Sequence, residues 1–141
     1  MGVYYVQKPD GSLVTDIDPL IERIVLEHLL GELGGSPMIV REEASAGEAA
    51  TVARIAEAET LVTIDGIDGT GRFIDHFNSR APNPQWLVAL TAVYRRDAAT
   101  GWFVPELAFA YQPATDCLFA LVEGQAQVVE NPLGGGSSFY V

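Results

Sequence analysis

Apolar residues recur along this chain first at helical spacing and later at every second position. Leu20, Ile21, Ile24, Val25 and Leu29 fall at helical intervals, with Glu22, Arg23 and Glu27 on the other face. That is the pattern of an amphipathic helix with a buried stripe. Asp18 suits its N-cap, since a carboxylate can accept from the free N–H groups of the first turn, and Pro19 suits the first helical position. Gly31, or the pair Gly34 and Gly35, ends it. His28 falls near the edge of the stripe and reads as a packing or surface residue, because no second His or Cys stands at a ligand's spacing. Ahead of the helix, residues 3–6 and 13–15 are short extended runs. Between them lies the turn Pro9-Asp10-Gly11-Ser12, in which proline presets φ and glycine accepts a positive one.

Residues 38–40 read as a short strand running into Arg41, Glu42 and Glu43. Residues 45–59 are alanine-rich and helix-forming, with Ser45 or Gly47 near the start. The β-branched run 61–64 predicts a buried strand that stops in Asp65-Gly66-Ile67-Asp68-Gly69-Thr70-Gly71. Residues 72–77 open another helix and 78–84 form a loop. From there the pattern is β. Strands are expected over 86–95, 102–111 (broken near Pro105), 117–122 and 126–129, with tight turns between them, an antiparallel meander. Helices first and a meander afterwards imply an α+β fold, a layered domain with helices packed on a largely antiparallel sheet. Residues 1–130 are expected to form that domain. Residues 131–141, rich in Gly and Ser, are expected to be a flexible tail or the start of a further domain.

Composition sharpens this picture in three ways. The 141 residues suffice for one domain with a real core, and the 48% apolar and 9% aromatic content argues against disorder. The net charge of −11 repels phosphate backbones, so nucleic-acid binding is not expected as a primary role. It also repels a phosphorylated substrate unless bound cations reverse the sign locally. The single cysteine, Cys117, sits among apolar neighbours and is expected to be a buried structural thiol; nothing points to disulfides. No apolar run approaches the ~20 residues needed to span a bilayer, and no signal peptide is seen at the N-terminus. The expected location is the cytoplasm.

Acidic groups end three apolar segments: Asp18 after 13–15, Glu42 and Glu43 after 38–40, and Asp65 and Asp68 after 61–64. Carboxylates past strand ends can converge at one edge of a sheet, and clustered carboxylates without matching Lys or Arg call for cations. Hard oxygen ligands select Mg²⁺, Mn²⁺ or Ca²⁺, and the lack of a Cys or His cluster argues against zinc. In the segment 65–70 two carboxylates three residues apart, with the Ile67 carbonyl between them, can face one metal pair. The N–H groups of Gly69 and Thr70, at a helix start, suit a phosphate. The Thr70 hydroxyl can orient an attacking water. Each residue also has a plainer reading. Asp65 and Asp68 can be turn formers, Asp18 and Thr70 helix caps, and the Glu42 and Glu43 pair a solvated one.

Taken together, these segments resemble the inositol monophosphatase-like family of the lithium-sensitive, magnesium-dependent phosphatases. Residues 8–18, Lys-Pro-Asp-Gly-Ser-Leu-Val-Thr-Asp-Ile-Asp, are similar to its opening motif, a Lys, a short turn and Val-Thr-x-x-Asp before a helix. Val40-Arg41-Glu42-Glu43 resembles its Gly-Glu-Glu segment. Asp65-Gly66-Ile67-Asp68-Gly69-Thr70 resembles its Asp-Pro-Ile-Asp-Gly-Thr signature. The likeness runs from about Lys8 to Ala126. It implies the N-terminal part of a five-layer α/β/α/β/α sugar-phosphatase fold and hydrolysis of a phosphate monoester by metal-activated water. Two or three Mg²⁺ ions are implied, with Mn²⁺ as a substitute. Glu42, Asp65 and the Ile67 carbonyl would hold the ion that activates water, and Asp65 and Asp68 would share the second. Thr70 would bond the attacking water and Asp18 would accept from Thr70. The N–H groups of Gly69 and Thr70 would hold the phosphate, with Lys8 at the outer edge of the site.

Some positions depart from the family pattern. Gly66 replaces the usual Pro and is expected to loosen the turn. Arg41 replaces Gly, and its guanidinium is expected to compete with the metals. The loop 78–85 is longer than usual. The family's first helix and everything after the meander, including a Trp-Asp motif that completes the second metal site, fall outside the sequence, so the meander is expected to expose an apolar face and favour a homodimer. The expected substrate is a small inositol, sugar, histidinol or nucleotide 3′-phosphate. Two other readings remain: a non-catalytic metal- or partner-binding fragment of that fold, and a purely structural acidic domain.

Overall fold

The computed structural model describes residues 4–42, 48–79 and 88–140, which form a two-stranded hairpin, a seven-stranded sheet and three α-helices. In the hairpin, β1 (Tyr5–Gln7) pairs antiparallel with β2 (Leu13–Thr15). Lys8 N donates to Ser12 O at 2.8 Å and Gly11 N to Lys8 O at 2.9 Å. Gly11 takes a φ of 90°, which a side chain would resist. Asp10 Oδ1 accepts from Ser12 N and Oγ at 2.9 and 2.7 Å, and those bonds hold its pKa below the ordinary value.

Helix α1 (Asp18–Leu33) stops at Gly34, whose φ is 62°. Its Val25, Leu26, Leu29 and Leu33 pack on Val62, Ile64 and Val93, joined by Ile39 and Leu107. The buried stripe is rotated from the one the apolar pattern predicts. Glu22, expected on the polar face, is 0% exposed, whereas Leu20 and Ile24 are 41% and 47% exposed. The cause lies one turn earlier. Asp18 is buried against β2 and the start of the third helix, and residues i and i+4 share a helix face, so Glu22 follows Asp18 inward. His28 lies exposed, as expected of a surface residue.

The sheet runs in sequence order from β3 to β9. Strand β3 (Met38–Arg41) lies parallel to β4 (Thr60–Asp68). The rest is an antiparallel meander of β5 (Val88–Arg96), β6 (Phe103–Gln112), β7 (Cys117–Val122), β8 (Gln125–Glu130) and β9 (Ser137–Tyr140). Pro105, which cannot donate to a ladder, sits at the irregularity where β6 slips against β5. The stretch 131–141, expected to be a flexible tail or the start of a further domain, supplies a 3-10 turn at Pro132–Gly134 and β9. Cys117, expected to be a buried structural thiol, is half-buried at the start of β7.

One sheet face carries α1. On the other, Leu90, Ala92, Tyr94, Ala108, Phe119 and Leu121 line an open apolar trough of about 750 Å³ that reaches Glu42 and Asp65 at one end. Helix α2 (Glu48–Glu57) is fastened by Arg96. The Arg96 guanidinium donates to the carbonyls of Ile55, Ala56, Ala58 and Gly101 at 2.8–3.0 Å and stacks 4.4 Å from the Phe103 ring centroid. The predicted starts of this helix at Ser45 or Gly47, like Glu43, Trp86 and positions 80–84 of the predicted loop, lie outside the described residues; positions 78 and 79 of that loop belong to a helix.

Strand β4 continues four residues past the predicted stop at Ile64, through a bulge between Asp65 and Asp68. Inside the bulge, Gly66 is buried against the backbone of Asp18. A Cβ at Gly66 would sit 2.5 Å from Asp18 O and 3.2 Å from its carbonyl carbon. Gly66 therefore does not loosen a turn; it lets the start of α1 approach closer than any side chain permits. Helix α3 (Thr70–Ser79) begins directly after the bulge, with Phe73 and Ile74 buried.

Two substitutions test these fastenings. Gly66→Ala should cost about 1–3 kcal/mol, the range for overpacking a filled interior, read from urea denaturation. Arg96→Ala should cost about 1.5–3 kcal/mol, the worth of hydrogen bonds to a charged donor, and Arg96→Lys should not restore it, because an ammonium lacks the planar fork.

Candidate active site and metal centre

Asp18 is the most constrained polar residue of the site. It is 1% exposed, and it does not cap α1 as predicted: the N-cap is Ile17, with no side-chain cap bond. Its Oδ2 instead accepts from Thr15 N at 2.9 Å and from Thr15 Oγ1, while Thr15 Oγ1 accepts from Ile17 N at 3.2 Å. The exchange resembles a capping box set one turn ahead of the helix. Asp18 Oδ1 accepts from Thr70 Oγ1 at 3.0 Å, a link across 52 positions of sequence. Thr70 Oγ1 also lies 2.8 Å from Ile67 O. Both neighbours are acceptors, so the one hydroxyl hydrogen of Thr70 points at them and its lone pairs are left for an incoming donor.

Sheet register brings two more carboxylates together. Arg41 stands opposite Ile64, and Glu42 N donates to Ile64 O at 3.1 Å, which puts Glu42 beside Asp65. Asp65 Oδ1 is buried with no hydrogen-bond partner among the described residues. Burial, then the Glu42 carboxylate and then the charge of Asp68 raise the Asp65 pKa from 3.8 to about 7, against a lowering by the Ile67 N–H. Asp68 is exposed and Ile67 is buried. Among the described residues no group of three or more His, Cys, Asp or Glu is arranged to hold a metal. The donor set still fits a hard cation. Mg²⁺ takes one or two carboxylates and keeps several waters, and an orphaned buried oxygen beside a second carboxylate invites positive charge.

Glu42, Ile67, Asp68 and Thr70 border a pocket of about 310 Å³. The hairpin residues Gly11, Ser12 and Leu13 line it together with Glu42 and the run from Ile67 to Gly71. That volume lies at the lower end of small-ligand sites. Gly69 and Thr70 sit on it at the start of α3, where a helix leaves its first N–H groups for other acceptors; Gly69, at φ 93°, makes the turn into the helix.

The nearby cations take opposite sides. Alternation along β3 points Arg41 toward α1, where Nη1 lies 3.7 Å from Glu22 Oε2. The expected competition of Arg41 with the metals is therefore corrected: its guanidinium serves a buried carboxylate on the other sheet face. Lys8 Nζ lies 3.7 Å from Glu42 Oε1, at the outer edge of the site as expected. The structure thus joins Asp18 to Thr70 and Glu42 to Asp65, with Ile67, Asp68 and Gly69 on the segment that connects them. Sequence reasoning missed the parts played by Thr15 and Glu22. The Thr-x-x-Asp spacing was the available signal for the first; nothing in the polar pattern signalled the second.

The chain matches the model of the inositol monophosphatase family over residues 3–136. Solved structures agree in fold. It is similar to the Thermotoga maritima IMPase, with a TM-score of 0.58 and 18% identity over 97% of this chain and 41% of that one. An inositol monophosphatase family protein from Staphylococcus aureus gives 0.56 and 18%, over 86% and 38%. The extragenic suppressor protein SuhB from Bartonella henselae gives 0.57 and 18%, over 98% and 42%. The chain therefore spans about two fifths of the length of these structures. No curated protein matches it significantly. No helix among the described residues is long and apolar enough to cross a membrane. With the family model covering nearly the whole length, and the signature segments meeting at one pocket, the chain belongs to the inositol monophosphatase family.

Proposed function

We propose that this chain carries part of a magnesium-dependent phosphomonoesterase site acting on a small inositol or sugar phosphate. The observation that carries the reading is the bond from Thr70 Oγ1 to Asp18 Oδ1, 3.0 Å long, on the same pocket as Glu42. Glu42, Asp65 and the Ile67 carbonyl would hold one ion, and Asp65 with Asp68 a second. Such ions, when bound, lower the pKa of water and neutralise charge on phosphoryl oxygens. The chain's own residues do the rest. Thr70 accepts a hydrogen bond from the attacking water through its free lone pairs and donates its own hydrogen bond to Asp18. Asp18, fixed by Thr15, keeps that hydroxyl in one orientation. The N–H groups of Gly69 and Thr70 hold the phosphate at the N-terminus of α3.

The unpartnered, buried Asp65 Oδ1 beside Glu42 would equally serve a second reading, a cation-binding unit without turnover. Assay against inositol and sugar monophosphates with Mg²⁺ separates the two.

Metal binding has a stability signature. The Asp65 pKa is about 7 in the folded protein against an ordinary 3.8, so between those values the folded state holds more protons than the unfolded one. Stability without cations should therefore fall as pH rises through that window. Thermal melts in chelator should show the fall, and Asp65→Asn should abolish it. Millimolar Mg²⁺ should flatten it and stabilise by about 2.7 kcal/mol at one hundred times Kd. An unchanged melt in Mg²⁺ counts against the site.

Turnover should depend on the Thr70 hydroxyl. Thr70→Ala should lower kcat by about 10²–10⁴-fold, with a stability loss of about 1–3 kcal/mol because a buried Asp18 oxygen loses its donor. Thr70→Ser, which keeps the donor, should retain most of both. A normal kcat in Thr70→Ala would leave this residue as a structural donor only.

A further inference from the structure

We propose that Lys8 is a built-in counter-cation that competes with the divalent ion for Glu42 and so sets the site's cation affinity. The inference rests on the metal-site reading above. Lys8 Nζ stands 3.7 Å from Glu42 Oε1, and the two side chains are 20% and 45% exposed. Glu42 sits beside Asp65 and lines the pocket, so the ammonium lies on one of the carboxylates a cation would use.

The backbone of Lys8 is held within the hairpin turn, which limits where its side chain can reach. Lys8 N and O both bond within the hairpin turn, to Ser12 O and Gly11 N, and Asp10 ties the same turn through Ser12. Gly11, Ser12 and Leu13 of the same hairpin line the pocket together with Glu42. The Lys8–Glu42 pair therefore ties the hairpin to a carboxylate on the same pocket. Arg41 cannot substitute, since it is directed at Glu22. A cation taking Glu42 must displace the ammonium or tolerate its charge nearby, and either lowers affinity.

The test is a double-mutant cycle read by calorimetric titration with Mn²⁺ and with Mg²⁺, alongside melts in chelator that report the fold of each variant. Lys8→Met should bind about fivefold more tightly than the parent chain, the factor that ~1 kcal/mol of ion pair corresponds to. Lys8→Arg should stay near the parent value. In a Glu42→Gln background the gain from Lys8→Met should vanish, because the partner carboxylate is gone. Equal or weaker binding by Lys8→Met overturns the proposal, as does an undiminished gain in the Glu42→Gln background, which would mean bulk charge rather than contact. Absence of binding in every variant, the parent included, would overturn the metal-site reading itself and this inference with it.

Discussion

Burying the Asp18 carboxylate is the constraint from which the rest of the site is arranged. A charge with 1% exposure is tolerable only if donors surround it, and here they are Thr15 N, Thr15 Oγ1 and Thr70 Oγ1. Those donors come from β2 and from the start of α3, so the hairpin, α1 and the β4 bulge must meet at one point. Meeting that demand rotates α1 away from its most apolar face, exposes Leu20 and Ile24, and carries Glu22 inside. It also requires Gly66, whose missing side chain makes room for the Asp18 backbone.

The second organising influence is the two-residue alternation of β3. Arg41 and Glu42 are neighbours in sequence, yet they serve different faces of the sheet. Arg41 offsets the charge of Glu22 among the contacts of α1, while Glu42 lies beside Asp65 with Lys8 as its nearby cation. A net charge of −11 is thus not spread evenly in its consequences. One buried carboxylate has a guanidinium, another has hydroxyl and amide donors, and Asp65 has an unpartnered oxygen and a raised pKa.

Much of this was legible in the sequence. The meander followed from period-two patterning and turn residues, and the family from three short motifs. The α+β class and the order of the elements followed with them. What escaped had physical reasons. The rotation of α1 was hidden because hydrophobic spacing reports the average preference of a helix face, and one obligatory polar contact at Asp18 outweighed several apolar ones. The extension of β4 past Ile64 was hidden because glycine and aspartate weaken a strand signal, while a bulge tolerates both. The direction of Arg41 was hidden because proximity in sequence says little about proximity in space once side chains alternate. Among the site residues, Thr70 and Asp18 could be paired only through the family likeness; their 52-residue separation leaves no local trace.

The contact at Gly66 bears on how sequences within this family can be exchanged. The Asp-Pro-Ile-Asp-Gly-Thr signature that this segment resembles has proline there, with a Cβ that this backbone cannot accommodate beside Asp18. Position 66 and the placement of α1 are therefore sterically coupled. A chimera that imports the common signature into this chain, without also importing the helix that faces it, combines two segments that are each sound in their own parent and incompatible with one another.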